Sequence, residues 1–125
     1  MQKLHITIFF FLLTGCAMNA ETPDKGIKHV VLCWLNDPGN QAHIQQVIKT
    51  SYELTVIPGV LDLQAGTALK SERKIVDDSF DVGIVMSFNN ANEMNDYLSH
   101  KEHVRRVKND LLPLCQRILV YDISY

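Results

Sequence analysis

The chain has no excess of positive charge: 12 Lys and Arg stand against 14 Asp and Glu. That lack removes the electrostatic footprint that nucleic-acid binding needs. Only three cysteines are present, with no C-x-x-C pair among them, which excludes the usual zinc and dithiol-redox spacings. No glycine-rich phosphate loop, H-E-x-x-H segment or Ser-His-Asp order occurs. Nucleotide cofactors, zinc-protease chemistry and serine-type hydrolysis therefore lack sequence support, and neither a cofactor nor a metal is expected. No segment repeats, and none is of low complexity. One long apolar run exists, residues 6–13, and it is too short to cross a bilayer as a stable helix.

What that run offers is an address. Lys3 precedes it, and Leu13-Thr14-Gly15-Cys16 closes it. A positive start, a short apolar stretch and then small residues are the layout of a secretory signal peptide, here residues 1–15. The ending resembles the bacterial lipobox, which implies that Cys16 is acylated and becomes the first residue of the mature chain. Several acyl chains anchor durably where one anchors weakly. An ordinary leader cut after Ala20, in Met18-Asn19-Ala20, is the alternative. Ala17 in place of Asp resembles lipoproteins sorted to the outer rather than the inner membrane. The expected place is thus the periplasmic side of a bacterial cell envelope. Cleavage before Cys16 leaves 125 − 15 = 110 residues and removes Lys3, so 11 basic residues face 14 acidic ones, a net −3. Residues 16–26 are polar and breaker-rich and read as a lipidated tether. Residues 27–125 make one small domain. Cys33 and Cys115 fit two small buried apolar side chains, although an oxidising compartment would permit them to pair.

Within the domain, Ile27–Leu35 is rich in β-branched and aromatic residues and predicts a strand buried on both faces. Asn36–Asn40 is a turn, with Asp37-Pro38 able to open a helix. Ile44, Val47, Ile48 and Ser51 then fall at helical spacing until Ile57-Pro58-Gly59 stops them. Val60–Leu69 predicts a second strand with Leu61, Leu63 and Ala65 on one face. Residues 70–79 are loop, and Phe80–Phe88 a third strand. Asn90 caps a helix, with Glu93 three residues on. Ser99-His100-Lys101-Glu102 is a second capping box, so the helix breaks near Leu98 and restarts at His100, running to about Leu112. Arg117–Ser124 is the fourth strand. The order βαββαβ predicts an α+β, ferredoxin-like fold with a four-stranded antiparallel sheet. Helices on one face leave the other bare. That face carries Val30, Leu32 and Trp34 if His29 points to the helices. So much exposed apolar area predicts a homodimer with its sheets packed face to face.

Five pieces carry a family resemblance: residues 27–32, Ile57-Pro58-Gly59-Val60, residues 80–88, Tyr97-Leu98-Ser99-His100-Lys101-Glu102-His103, and Val120-Tyr121-Asp122. Together they resemble the stress-responsive dimeric α/β-barrel (Dabb) domain over nearly all of residues 27–125. The resemblance implies a homodimer whose two units close one barrel. In the plant cyclase of this family that makes olivetolic acid, a histidine placed like His103 acts as general base and a tyrosine placed like Tyr97 supports it. A histidine matching His29 lines the same pocket. Lys101 stands where the family usually has proline, and Val82 where that cyclase has another pocket histidine.

The residues with chemical potential are therefore His29, Tyr97, His100 and His103. A histidine near its ordinary pKa of about 6.5 accepts a proton at neutral pH, and a phenol hydrogen-bonds a forming oxyanion. Tyr97 and His103 are six residues apart and would face opposite ways on one straight helix. A break at Ser99 lets both converge between helices and sheet, on an apolar cavity suited to a small ligand. The same residues also suit a purely structural role, tying the helix break to the sheet. Two functions follow: a lipid-anchored homodimeric module that binds a small apolar molecule or is structural, or a cyclase- or lyase-like enzyme acting on a small apolar carbonyl compound, with His103 as base and Tyr97 its partner. His100-x-x-His103 puts two imidazoles one turn apart, with no further ligand evident. His43 reads as solvated. Arg105, Arg106 and Lys108 read as the wet face of a helix or as a foothold for anionic lipid.

Overall fold

A computed structural model describes residues 25–125. The leader, Cys16 and most of the tether lie outside the described residues. Strand β1 (Ile27–Leu35) leads through a turn into helix α1 (Gln41–Glu53) and a 3₁₀ turn (Leu54–Val56). Strands β2 (Asp62–Gly66) and β3 (Val82–Phe88) follow. Helix α2 (Ala91–Ser99), helix α3 (Lys101–Arg106) and a π-helical turn (Val107–Leu111) lead to β4 (Cys115–Ser124). The sheet order is β2-β3-β1-β4, antiparallel throughout. This is the predicted α+β arrangement. No helix among the described residues is long and apolar enough to cross a membrane.

Strand alternation decides what each face holds. Phe88, Met86, Ile84 and Val82 of β3 are buried under the helices, as are Ile27, His29, Cys33 and Leu35 of β1. Helix α1 contributes Ile44, Val47 and Ser51 to this core. The opposite face carries Val30, Leu32, Val85, Leu119, Tyr121 and Ile123, all half-buried or exposed. Gly83 leaves room there for the Phe80 ring, which lies 3.1 Å from where a Cβ would stand. Phe80 in turn meets the edge of Trp34, whose other neighbours are the Arg117 guanidinium and Ser79 Oγ. One end of the bare face is thus covered within the chain, and the rest is not.

Several expected boundaries move. Helix α1 starts at Gln41, not at Pro38, because the Asn40 side chain accepts the His43 N–H and caps it there. Strand β2 is shorter than predicted: its last partner is Gly83, opposite Gly66, and an edge strand has nothing further to pair with. Leu61 precedes β2 and is exposed. Strand β4 begins two residues early, at Cys115. Cys33 and Cys115 are not two free buried thiols but one disulfide. A register irregularity beside Leu35 brings the start of β4 within a 6.0 Å Cα separation of Cys33.

Asp81 fixes the turn at the end of β1. Its carboxylate accepts the Leu35 N–H (2.8 Å) and the Gly39 N–H (2.7 Å). Gly39 has φ +75, the left-handed region that glycine enters without strain. Asp81→Ala leaves both donors without this acceptor. We predict a loss of about 2 kcal/mol, or ~8 °C in Tm, read by thermal denaturation. A shift under about 2 °C would show that water replaces the carboxylate without cost.

Candidate functional site

Four side chains meet between β1, β4 and the α2–α3 junction. His29 points from β1 toward the helices and is 5% exposed; Tyr97, from α2, is 1% exposed. Their ring centroids are 6.4 Å apart. His103, from α3, stands 4.6 Å from the Tyr97 ring. Asp122, from β4, lies directly across the sheet from His29, and the His29 Nδ1–H donates to its Oδ1 at 2.6 Å.

The helix break creates this convergence. Helix α2 ends at Ser99, and His100 takes an extended ψ of 135°. The cap of α3 is not Ser99, as the S-x-x-E pattern predicts. It is His100, whose Nδ1 accepts the Glu102 N–H. Ser99 Oγ instead bonds back to the Asn95 and Asp96 carbonyls. In an unbroken helix Glu102 N–H would have satisfied the Leu98 carbonyl. With that donor diverted, the Leu98 carbonyl accepts the His103 Nδ1–H at 2.9 Å.

These partners fix the tautomers. A carbonyl and a carboxylate only accept, so His29 and His103 both carry their proton on Nδ1 and present a bare Nε2 when neutral. Burial holds the His103 pKa below the ordinary imidazole value, with smaller contributions from His29 and His100, against the pull of the Leu98 carbonyl. Burial pushes the Tyr97 phenol up, so it stays a hydroxyl donor at neutral pH. No group among the described residues hydrogen-bonds the Tyr97 hydroxyl.

These groups border a cavity of about 170 Å³. Its other walls are apolar, including Val31, Leu54, Ile84, Met86, Leu98 and Leu111, apart from Ser51, whose hydroxyl donates to the Val47 carbonyl. Met86 lines the space without filling it. Asp122 is a neighbour of His29 that the sequence alone does not single out. Its signal was topological: β1 beside an antiparallel β4 sets the third residue of one strand against the third from the end of the other.

The remaining polar candidates do other work. His100 is spent on the cap. His43 is half-buried rather than solvated, and its Nδ1 is buried without a partner among the described residues. Arg105 binds Glu102 (3.0 Å), and Arg106 binds Glu53 and lies near Asp110. Arg105 and Arg106 thus belong to an ion-pair network that joins α3 to α1, while Lys108 is exposed. Among the described residues no three His, Cys, Asp or Glu side chains form a metal-holding group.

Residues 27–125 match the model of the stress responsive A/B barrel domain family, Dabb. No curated protein matches the chain. Among solved structures, a hydroxynitrile lyase from Passiflora edulis superposes with a TM-score of 0.71 at 19% identity, covering 83% of this chain and 95% of that one. A Dabb-family protein with a ferredoxin-like fold from Mesorhizobium loti gives 0.65 at 21% identity, over 80% and 96%. A dimeric ferredoxin-like protein from Thermobifida fusca gives 0.67 at 19%, over 86% and 97%. At these identities the likeness establishes the fold.

Proposed function

Because the chain belongs to the stress-responsive A/B barrel (Dabb) family, we propose that it is a lipid-anchored envelope protein whose homodimer carries, in each protomer, a small-molecule site built for proton transfer on a small apolar carbonyl compound. The observation that carries this reading is the cavity's polar content. Two imidazoles held at Nδ1, His29 and His103, and the Tyr97 hydroxyl border a space whose other walls are apolar apart from Ser51. A site meant only to hold the helix break to the sheet would use those atoms on protein partners.

The chemistry follows from their protonation states. The bare Nε2 of His103 takes a proton from the carbon beside a carbonyl, or from the hydroxyl of a carbonyl adduct. Tyr97 donates a hydrogen bond to the oxygen on which negative charge develops. His29, oriented by Asp122, is a second acceptor at the same end. Loss of a hydroxyl proton as a leaving group departs is also the reaction class of a lyase that cleaves hydroxynitriles, such as the Passiflora neighbour. The test is exchange of the α-protons of butanone in D₂O, followed by NMR. The reading expects exchange well above the buffer rate. Exchange at the buffer rate would refute it.

The location rests on the leader, residues 1–15, and on Cys16 after it, and gains support from the disulfide, since such bonds persist in oxidising compartments. The homodimer rests on the uncovered sheet face, and the Thermobifida neighbour is itself dimeric. Leu32 stands at the middle of that face, opposite Gly83 and Leu119. Leu32→Asp should convert a dimer to a monomer by light scattering, because a charge buried there has no partner. A wild-type protein that runs as a monomer would overturn the assembly.

A further inference from the structure

Three large apolar side chains lie exposed at the end of the sheet where the domain begins. Strand β1 starts there, with Ile27 opposite Phe88 and Ser124. Leu61 lies at this end, since its N–H donates to the Ser87 carbonyl, and it is 58% exposed. Val56 follows α1, which starts beyond the far end of β1 and runs back along it; Val56 is 78% exposed. Tyr125, 66% exposed, donates its N–H to the Gly26 carbonyl and lays its ring against Gly26. Charge at this end is mixed: Lys25 and Lys28 stand among Asp62 and Glu93.

On the reading that Cys16 is acylated, we infer that this end of the domain rests on the lipid bilayer, with Val56, Leu61 and Tyr125 in its interfacial layer. Reach selects it. Cys16 and Lys25 are 25 − 16 = 9 residues apart, and a fully extended chain of that length spans at most about 32 Å. Strand β1 is itself nine residues long, or about 30 Å. Leu69 and Ile75, in the loop between β2 and β3, are more exposed still. That loop lies at the far end, because Gly66 pairs with Gly83 and Val82 with Cys33. To set it on the bilayer, the tether would have to double back fully stretched along the whole of β1, at an entropic cost for every residue fixed. The near end needs no such span. Burying Val56 and Leu61 removes apolar surface from water and adds to the acyl anchor. A tyrosine ring, apolar with one polar tip, suits the headgroup level. Because the charge there is mixed, the contact is apolar and insensitive to salt.

The experiment places one tryptophan at each end. Leu61→Trp and Leu69→Trp are made separately, each with Trp34→Phe, as the acylated protein in vesicles of phosphatidylethanolamine and phosphatidylglycerol with brominated acyl chains. Emission from Leu61→Trp should be quenched by the bromine and shifted to shorter wavelength, equally at low and high salt. Emission from Leu69→Trp should be neither quenched nor shifted. Val56→Trp gives the same readout as Leu61→Trp if that variant is unstable. Quenching of Leu69→Trp, or of neither variant, overturns the orientation and leaves the anchor standing, since mass and vesicle flotation report the acyl chains independently. Quenching of Leu61→Trp that disappears in high salt overturns the apolar contact. A chain without the acyl mass overturns both anchor and orientation.

Discussion

His103→Ala lowers the rate of butanone α-proton exchange about 10³-fold, the scale of a positioned general base. The substitution removes the Nε2 acceptor and leaves the Leu98 carbonyl without its partner. Tyr97→Phe keeps the ring contacts with Phe88 and His103 but removes the hydroxyl. It should cost about 10²-fold, as one oxyanion donor does. The pH profile separates base loss from misfolding. Burial depresses the His103 pKa, so the base form persists below the ordinary imidazole value. The rate should therefore be flat through neutrality and fall in acid, with a midpoint below about 6.5. The stability sign agrees. The unfolded chain binds that proton more tightly, so stability is full above ~6.5 and is lost as the pH falls toward the folded value. A rate that already falls between pH 8 and 7 would mean that His103 is not the base.

Breaking the Cys33–Cys115 disulfide is the second large effect. The bond closes a sequence separation of 82 residues, nearly the whole domain. Loop-closure entropy for a ring of that size is worth about 4 kcal/mol. Reduction, or the paired change Cys33→Ala and Cys115→Ala, should lower Tm by ~15 °C. The loss extends to the site, because the bond ties β1 to β4, the strands that bring His29 to Asp122. The reduced protein should lose ketone affinity at temperatures where the oxidised protein keeps it. An unchanged Tm in protein shown by thiol titration to be reduced would refute this account of the domain's stability.

How much of this was readable from the chain depends on the range of the interaction. Alternation along β3 correctly separated Val82, Ile84, Met86 and Phe88 from Gly83, Val85 and Ser87, since strand periodicity is local. The helix break between Tyr97 and His103 was likewise visible as a capping pattern. Which residue performs the cap was not. Ser99 and His100 are both competent acceptors, and the choice turns on the extended ψ of His100. The disulfide was open in the sequence because it needs the register irregularity at the end of β1, which pairing alone creates. Asp122 needed the β1–β4 register for the same reason. Arg106 read as part of a basic patch because its partner Glu53, 53 residues before it, is set beside it only by the fold.

The central claim is that His103 stands in the cavity as a neutral base with its Nδ1 proton held by Leu98. Long-range ¹H–¹⁵N NMR of the imidazoles at pH 7, with and without saturating butanone, addresses it most directly. The account predicts an Nδ1–H tautomer for both His29 and His103, and a shift of the His103 Nε2 resonance when the ketone is added. A His103 that is cationic at pH 7, protonated on Nε2, or unmoved by the ketone would contradict it.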